Sequence, residues 1–406
     1  MKCGLLGRKL SHSYSPQIHA LLADYPYDLF EKEPDDLDAF LKYGEFTGIN
    51  VTVPYKQAVI PYLDALTPLA EKLGAVNTIV RKNGKLIGHN TDYFGFRYML
   101  SQLSVDLRDK KALVLGSGGA SKTVCAVLQD LGCQAVIISR AGEDNYNNLS
   151  KHGDAALIVN TTPVGMYPDV GVSPLSLSGF PKLEGVLDVI YNPARTTLLL
   201  EAEKLGIPAV NGLSMLVAQA KEAAEWFSGK TIPDECIPTI QAKLERDMGN
   251  IVLIGMPGCG ISTIGQILSA KTSRPLVDTD AAIVERAGKS IPEIFAQDGE
   301  EVFRELETSV LEDLGKRSGL IIATGGGCVT KARNYPLLHQ NGRIFWIQRD
   351  LNVLATDGRP LSQTNSLEQM YQTRAPLYAA FADFCVDNTT PDAAATKILN
   401  ILEGQR

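Results

Sequence analysis

The sequence predicts an α/β protein made of three successive units, and three observations carry that prediction. Short apolar runs that read as strands alternate with helix-period stretches from the first residues onward. Glycine-rich turns interrupt the alternation twice, at Gly116–Ala120 and Gly255–Gly260, each directly after an apolar run and directly before a helical one. The chain has 406 residues, which is long for one domain, since a domain usually holds roughly 100 to 200.

Composition narrows the function classes. With 45% hydrophobic and 21% charged residues the chain reads as an ordinary soluble globular protein. A formal net charge of -7 without a dense basic run argues against a nucleic-acid partner and leaves small anionic molecules open through local basic residues. No stretch of about 18 consecutive apolar residues occurs, so no membrane-spanning helix is expected, and MKCGLLGRKL has too short an apolar run for a signal peptide. Seven cysteines without C-x-x-C spacing suggest free thiols in a reducing compartment, hence a cytoplasmic protein. Oligomeric state is not legible.

In the first unit, residues 1–100, the runs KCGLLG, YDLFEK, TGINVTV and AVNTIV read as strands, with a helix opening at Ser15-Pro16. Polar stretches interrupt them at Ser11–Pro16, at Asn50–Lys56 and at Asn90-Thr91-Asp92. Each has a local explanation beside a functional one: Ser15 and Asp92 as helix caps, Lys56 as a solvated surface residue.

The second unit, residues 101–245, starts with the buried-strand signal Lys111–Leu115, then Gly116-Ser117-Gly118-Gly119-Ala120 and a helical run to Leu131. Strand, glycine turn and helix suit a dinucleotide pyrophosphate, which needs close backbone approach and a helix N-terminus, so a Rossmann-like layout is expected. The next strand, Gln134 to Ser139, ends at Arg140, where a fold specific for NAD more often places an acid. Arginine there favours a 2′-phosphate, with a solvated loop arginine near Glu143 and Asp144 as the alternative. Further strands are expected at Ala155 to Val159 and Val186 to Ile190, putting Asn160–Met166 and Tyr191-Asn192-Pro193 on the ligand rim of the sheet. Residues 218–246 read as two helices around a turn at Gly229–Pro233, part of 212–245 is expected to pack back on the first unit, and Arg246–Asn250 reads as a boundary.

The third unit, residues 250–406, opens with IVLIGMPGCGISTIG. Four apolar residues run into Gly255, Gly258 and Gly260 and then Ser262 and Thr263, the layout of a phosphate-cradling loop. The pattern G-x-x-x-x-G-K-[ST] calls for lysine where this chain has Ile261, so the backbone donors and hydroxyls remain while the ammonium is missing. Asp278 and Asp280 fall on one face if their segment is extended; one could hold Mg²⁺ with Ser262 and the other orient a hydroxyl. Arg304 follows Glu300 by four, as exposed helices also arrange. Leu320 to Ala323 reads as a strand leading into Gly325-Gly326-Gly327, a turn suited to close substrate approach. Arg359 lies in a short Gly/Pro loop able to close over phosphates, and Arg374 precedes Pro376. The two glycine loops differ in pattern, so no internal repeat is expected.

The motifs SHSYSP, NVTVPYK, GAVNT, HNTD, GSGGAS, NTTPVGM and GLSMLVAQA occur in that order and resemble shikimate dehydrogenase over residues 1–245. The resemblance implies that Ser13, Ser15, Thr52, Asn77, Asp92, Tyr191 and Gln219 line a shikimate pocket and that Lys56 and Asp92 form the catalytic pair. It also implies an NADP site over Gly116, Gly118, Gly119, Ala120, Arg140 and Met166. This chain has Ser139-Arg140-Ala141 where the family usually has Asn-Arg-Thr, and Lys122 where arginine is common. In residues 250–406, DTD, EVFRELE, ATGGG, GRPL and R-x-P-L-Y resemble shikimate kinase. That resemblance implies a P-loop kinase domain with a parallel sheet. It further implies that Asp280, Arg304, Gly325, Gly326, Gly327 and Arg374 bind shikimate, with Asp280 catalytic, and that Ser262 and Asp278 serve Mg²⁺. Gly258, Gly260, Ser262 and Thr263 would hold ATP under Arg359 as a lid residue, the lid around Asn352 to Gly358 being short.

Together these imply a fused protein that reduces 3-dehydroshikimate with NADPH and phosphorylates shikimate with ATP, the second activity weakened by Ile261. The alternatives are a quinate-type dehydrogenase using NAD, and a second half that binds shikimate or nucleotide without catalysis.

Overall fold

The computed structural model describes residues 1–10, 13–354 and 367–404. By its contacts the chain divides into one unit of Met1–Met166, Gly171–Tyr191 and Leu198–Lys243, and another of Tyr167–Val170, Asn192–Thr197 and Leu244–Arg406. The division falls inside the helix Cys236–Met248. The polar segment expected as a boundary is the last turn of that helix and the start of the next strand.

The first unit holds two sheets. Strands β1 (Cys3–Gly7), β2 (Tyr27–Glu31), β3 (Gly48–Val51), β4 (Ala65–Leu66), β5 (Thr78–Lys82) and β6 (Lys85–His89) form a mixed sheet in the order β2-β1-β3-β5-β6-β4. β1 and β3 are buried along their whole length, which is why they read as continuous apolar runs. β6 was not expected from its composition, yet its signal is local. Asn83-Gly84, both at positive φ, make the two-residue turn that folds β5 back onto β6.

Strands β7 (Lys111–Leu115), β8 (Gln134–Ile138), β9 (Leu157–Asn160), β10 (Gly185–Asp188) and β11 (Ala209–Asn211) form a parallel sheet, ordered β11-β10-β9-β7-β8. Alternation sorts their side chains: Ala112, Val114 and Val159 enter one core, Leu113, Leu115 and Ile158 the other. The chain leaves β7 toward β8 and later reaches β9 on the other side, so the crevice at the carboxyl ends of β7 and β9 is where a ligand binds in such sheets.

The second unit is built on β12 (Asn250–Gly255), β13 (Leu276–Asp278), β14 (Ile321–Ala323), β15 (Gly342–Gln348) and β16 (Phe384–Asp387), all parallel, ordered β13-β14-β12-β15-β16. Central β12 is wholly buried, and its carboxyl end runs into the glycine loop. The seven cysteines are free thiols. Among the described residues no helix is long and apolar enough to cross a membrane.

Candidate functional sites

In the first unit polar residues of four segments converge. Lys56, in the short helix after β3, places its Nζ 2.7 Å from Asp92 Oδ2, with the two side chains 25% and 12% exposed. Asn77, just before β5, donates from Nδ2 to the other carboxylate oxygen of Asp92 at 3.0 Å and to Thr91 Oγ1 at 2.9 Å. Its Oδ1 accepts the Thr91 amide at 2.7 Å. Gln219, from the helix Leu213–Ser228, brings its Oε1 within 3.5 Å of Asn77 Nδ2 and 3.4 Å of Thr91 Oγ1. Lys56 is therefore not a solvated surface residue. Nor is Asp92 a cap: it is the first residue of its helix, and its carboxylate is turned to Lys56 and Asn77 instead. Ser15 likewise begins its helix rather than capping it. Its amide donates to Ser13 Oγ, and its side chain reaches Tyr27, whose hydroxyl donates to Asn50. Tyr191 meets Tyr14 edge to face at 6.0 Å, and burial pushes its hydroxyl up in pKa. The Thr52 methyl lies against Gly7 at the end of β1. Ser11 and His12 fall outside the described residues.

At the crevice of the parallel sheet, Gly116 has φ +104°, and a Cβ there would stand 2.9 Å from Thr162 Cγ2. Only glycine makes that turn. Positions 118 and 119 are different: a Cβ on either would meet nothing within 4 Å, so the helix Gly119–Asp130 opens, with Ala120 in its first turn, onto free space with its amides unobstructed. Such a cradle fits a pyrophosphate. Arg140 is exposed after β8, and among the described residues it forms no ion pair with Glu143 or Asp144. Met166, 44% exposed, closes the Asn160–Met166 turn beyond β9.

In the second unit a cavity of about 440 Å³ joins the glycine loop to the Gly325–Gly327 turn. Ser262 Oγ donates to Asp278 Oδ2 at 3.1 Å, while Asp278 Oδ1 accepts the amides of Asp280 and Ala281. Asp278 and Asp280 do not share a strand face, because β13 ends at Asp278 and a helix starts at Thr279. They are adjacent because Asp278 caps that helix. A hydroxyl and a carboxylate oxygen beside a phosphate loop suit Mg²⁺, which takes few protein ligands and keeps waters and substrate oxygens. Gly325 packs against Asp280 and Glu307: a Cβ there would stand 2.6 Å from Asp280 Oδ1 and 3.2 Å from Glu307 Oε1. Arg304 is no exposed-helix arginine. It is 4% exposed and bonds Glu307 at 2.8 Å as well as Glu300 at 3.2 Å. Burial pushes the Glu307 carboxyl up in pKa although Arg304 pulls it the other way. Arg374 donates to the Gly326 carbonyl at 3.1 Å, and the Tyr378 hydroxyl donates to the same oxygen. Gly258, Gly260 and Thr263 line the loop side of the cavity. Ile261 opens the helix Ile261–Thr272 and packs into the core with Ile254 and Ile264. Arg359 lies outside the described residues. Sequence reasoning missed Glu307 and Arg349, both on the cavity wall. Glu307 carried a readable signal, following Arg304 by three on a helix.

Residues 5–79 match the family model of the shikimate dehydrogenase substrate binding domain, and residues 257–403 that of shikimate kinase. The shikimate dehydrogenase (NADP(+)) of Caldanaerobacter subterraneus subsp. tengcongensis is 39% identical over 255 residues, 56% of this chain and 91% of that protein. The chain belongs to the shikimate dehydrogenase family. It also carries a shikimate kinase domain at its C-terminus. Shikimate dehydrogenase structures agree with the fold of the first unit. A chorismate mutase/shikimate 5-dehydrogenase fusion from Clostridium acetobutylicum has TM-score 0.57 and 36% identity, covering 60% of this chain and 97% of that one. Shikimate 5-dehydrogenase from Thermus thermophilus, in complex with NADP(H) and shikimate, has TM-score 0.54 and 30% identity, covering 60% and 99%. In this family member the fused partner is a kinase domain.

Proposed function

We propose that the first unit reduces 3-dehydroshikimate to shikimate with NADPH, and that the second binds shikimate and ATP with Mg²⁺ but transfers the phosphoryl group slowly. The observation that carries the first reading is the Lys56–Asp92 pair in a half-buried pocket, held by Asn77. Bound NADPH would supply the hydride to the ketone carbon. Lys56 holds a proton at Nζ beside the ketone oxygen and delivers it as the alcohol forms, while Asp92 fixes the direction of the ammonium. Ser13, Ser15, Thr52, Tyr191 and Gln219 would hold the substrate's hydroxyls and carboxylate. Arg140, free of acidic partners in the structure described, supports NADP over NAD.

In the second unit Arg304 and Arg374 would take the shikimate carboxylate, Asp280 the hydroxyl to be phosphorylated, and Gly325–Gly327 the ring at close approach. Gly258, Gly260, Ser262 and Thr263 would cradle the ATP phosphates, with Ser262 and Asp278 holding Mg²⁺. The product would be shikimate 3-phosphate. A non-catalytic binding module is the second reading, and Ile261 favours it. The protein would act in the cytoplasm on small molecules, without nucleic-acid or membrane partners.

Steady-state assays of the purified chain test this, with shikimate against quinate and NADP against NAD. Arg140→Ala raises KM for NADP at least about tenfold and leaves that for NAD within about twofold, since only NADP carries the 2′-phosphate. Equal effects on both cofactors would make Arg140 a bystander.

A further inference from the structure

The loop that carries Arg140 also carries two acids, Glu143 and Asp144. A carboxylate this close to a 2′-phosphate site is unfavourable twice over: it competes for the arginine and repels the dianion. The structure shows where one of them goes. Asp144 Oδ1 lies 2.8 Å from His152 Nε2, the side chains being 32% and 9% exposed. His152 ends a short 3-10 turn, Leu149–His152, in the connection that leads to β9, and its ring is held in the protein rather than in solvent.

The loop backbone around Asp144 is tied down by its own hydrogen bonds. The Asp144 carbonyl accepts the amide of Ser139, Asn148 Nδ2 donates to the Glu143 carbonyl at 2.9 Å, and Asn145 Nδ2 donates to the Gly142 carbonyl at 3.1 Å. Gly142 packs inside the loop, where a Cβ would stand 2.7 Å from Ser139 Oγ and 3.1 Å from the Asp144 carbonyl oxygen. The loop is thus closed on itself, with Arg140 exposed and the Asp144 carboxylate tied to the imidazole.

We propose that His152 is a positioning residue for cofactor choice: by holding the Asp144 carboxylate it keeps that negative charge off Arg140, and so off the 2′-phosphate of NADP. This rests on the reading of Arg140 as the 2′-phosphate residue. His152 touches neither cofactor nor substrate; it acts through Asp144. To hold the carboxylate its Nε2 carries the hydrogen, an assignment made from the bond itself. Without it, Asp144 is free to swing to Arg140, four residues away in the same loop.

The test is a set of variants in the full chain, measured for KM and kcat with NADP and with NAD. His152→Ala raises KM for NADP about tenfold and leaves KM for NAD within about twofold, the size expected for one partly screened charge. His152→Gln, whose amide still donates to Asp144, stays within about threefold of the parent for NADP. His152→Ala combined with Asp144→Asn recovers NADP to within about threefold, because the released side chain no longer carries charge. Three results would overturn the proposal: an unchanged KM for NADP in His152→Ala, an equal rise for NADP and NAD, or no recovery in the double variant, which would make His152 a support of the fold only. Arg140→Ala in the same series separates the two readings. If it affects both cofactors alike, Arg140 does not read the 2′-phosphate and this inference falls with it. If it acts on NADP alone while the His152 variants do not, only the role of His152 is wrong.

Discussion

Ile261→Lys speeds phosphorylation of shikimate at least about a hundredfold over the chain as it stands, with ATP and Mg²⁺ saturating. The loop already has what binding requires: glycines at 255, 258 and 260 with positive φ, and a helix that opens onto the cavity with Ser262 next to Asp278. What it lacks is a charge-assisted hydrogen bond of about 1.5 to 3 kcal/mol and a cation on the phosphoryl group as it departs. Cations acting on that transition state are worth roughly 10³ to 10⁵ in rate. Arg304 is tied to Glu307 and Glu300, and Arg374 to the Gly326 carbonyl, so both lie on the Gly325–Gly327 side of the cavity. Among the described residues of the cavity wall, Arg349 beyond β15 is the basic side chain left to substitute, while Arg359 lies outside the described residues. Arg349 is exposed, and it stands outside the loop rather than at the helix start. A lysine at 261 can lay its alkyl stem along the path Ile261 now takes and extend its ammonium to the phosphates. Ile261→Met is the control for altered packing and leaves the rate within about threefold. Turnover of the parent and the lysine variant within tenfold of each other would mean that the ammonium is dispensable here.

Lys56→Ala lowers dehydrogenase kcat by about 10² to 10⁴, the usual worth of a positioned proton donor, with a smaller effect on KM. The shikimate kinase rate, measured in the Ile261→Lys background where it is large enough to follow, stays unchanged. Lys56 lies in the first unit and the cavity in the second. Asp92→Asn keeps the shape of the pair and loses its charge, so its loss is expected in kcat as well. Equal loss of both activities in Lys56→Ala would contradict two independent sites.

Much of this was legible in the chain because the carriers are local. The glycine turns at Gly116 and Gly255 follow apolar strands, and backbone geometry alone demands them there. The pairing of Lys56 with Asp92 is a long-range contact, readable only through the resemblance, and the hydrogen bonds of Asn77 and Gln219 that orient it had no local signal at all. At Ser15 and Asp92 a helix-cap reading stood open beside the functional one. A residue that suits a helix start also suits a ligand pocket, and tertiary partners decided between them. Asp278 and Asp280 misled through the assumption of an extended segment, when the chain turns into a helix between them. Arg304 looked like a surface ion pair because spacing says nothing about which face is buried. The Asp144–His152 contact spans two turns without a motif, and only the folded loop brings it out.

The most direct measurement is a single reaction of the purified chain with 3-dehydroshikimate, NADPH, ATP and Mg²⁺, with shikimate and shikimate 3-phosphate quantified over time. NADPH oxidation matched by accumulating shikimate, with the phosphate forming at least about a hundredfold more slowly, is the predicted result. Absence of NADPH oxidation, or shikimate 3-phosphate appearing as fast as NADPH is consumed, would contradict it.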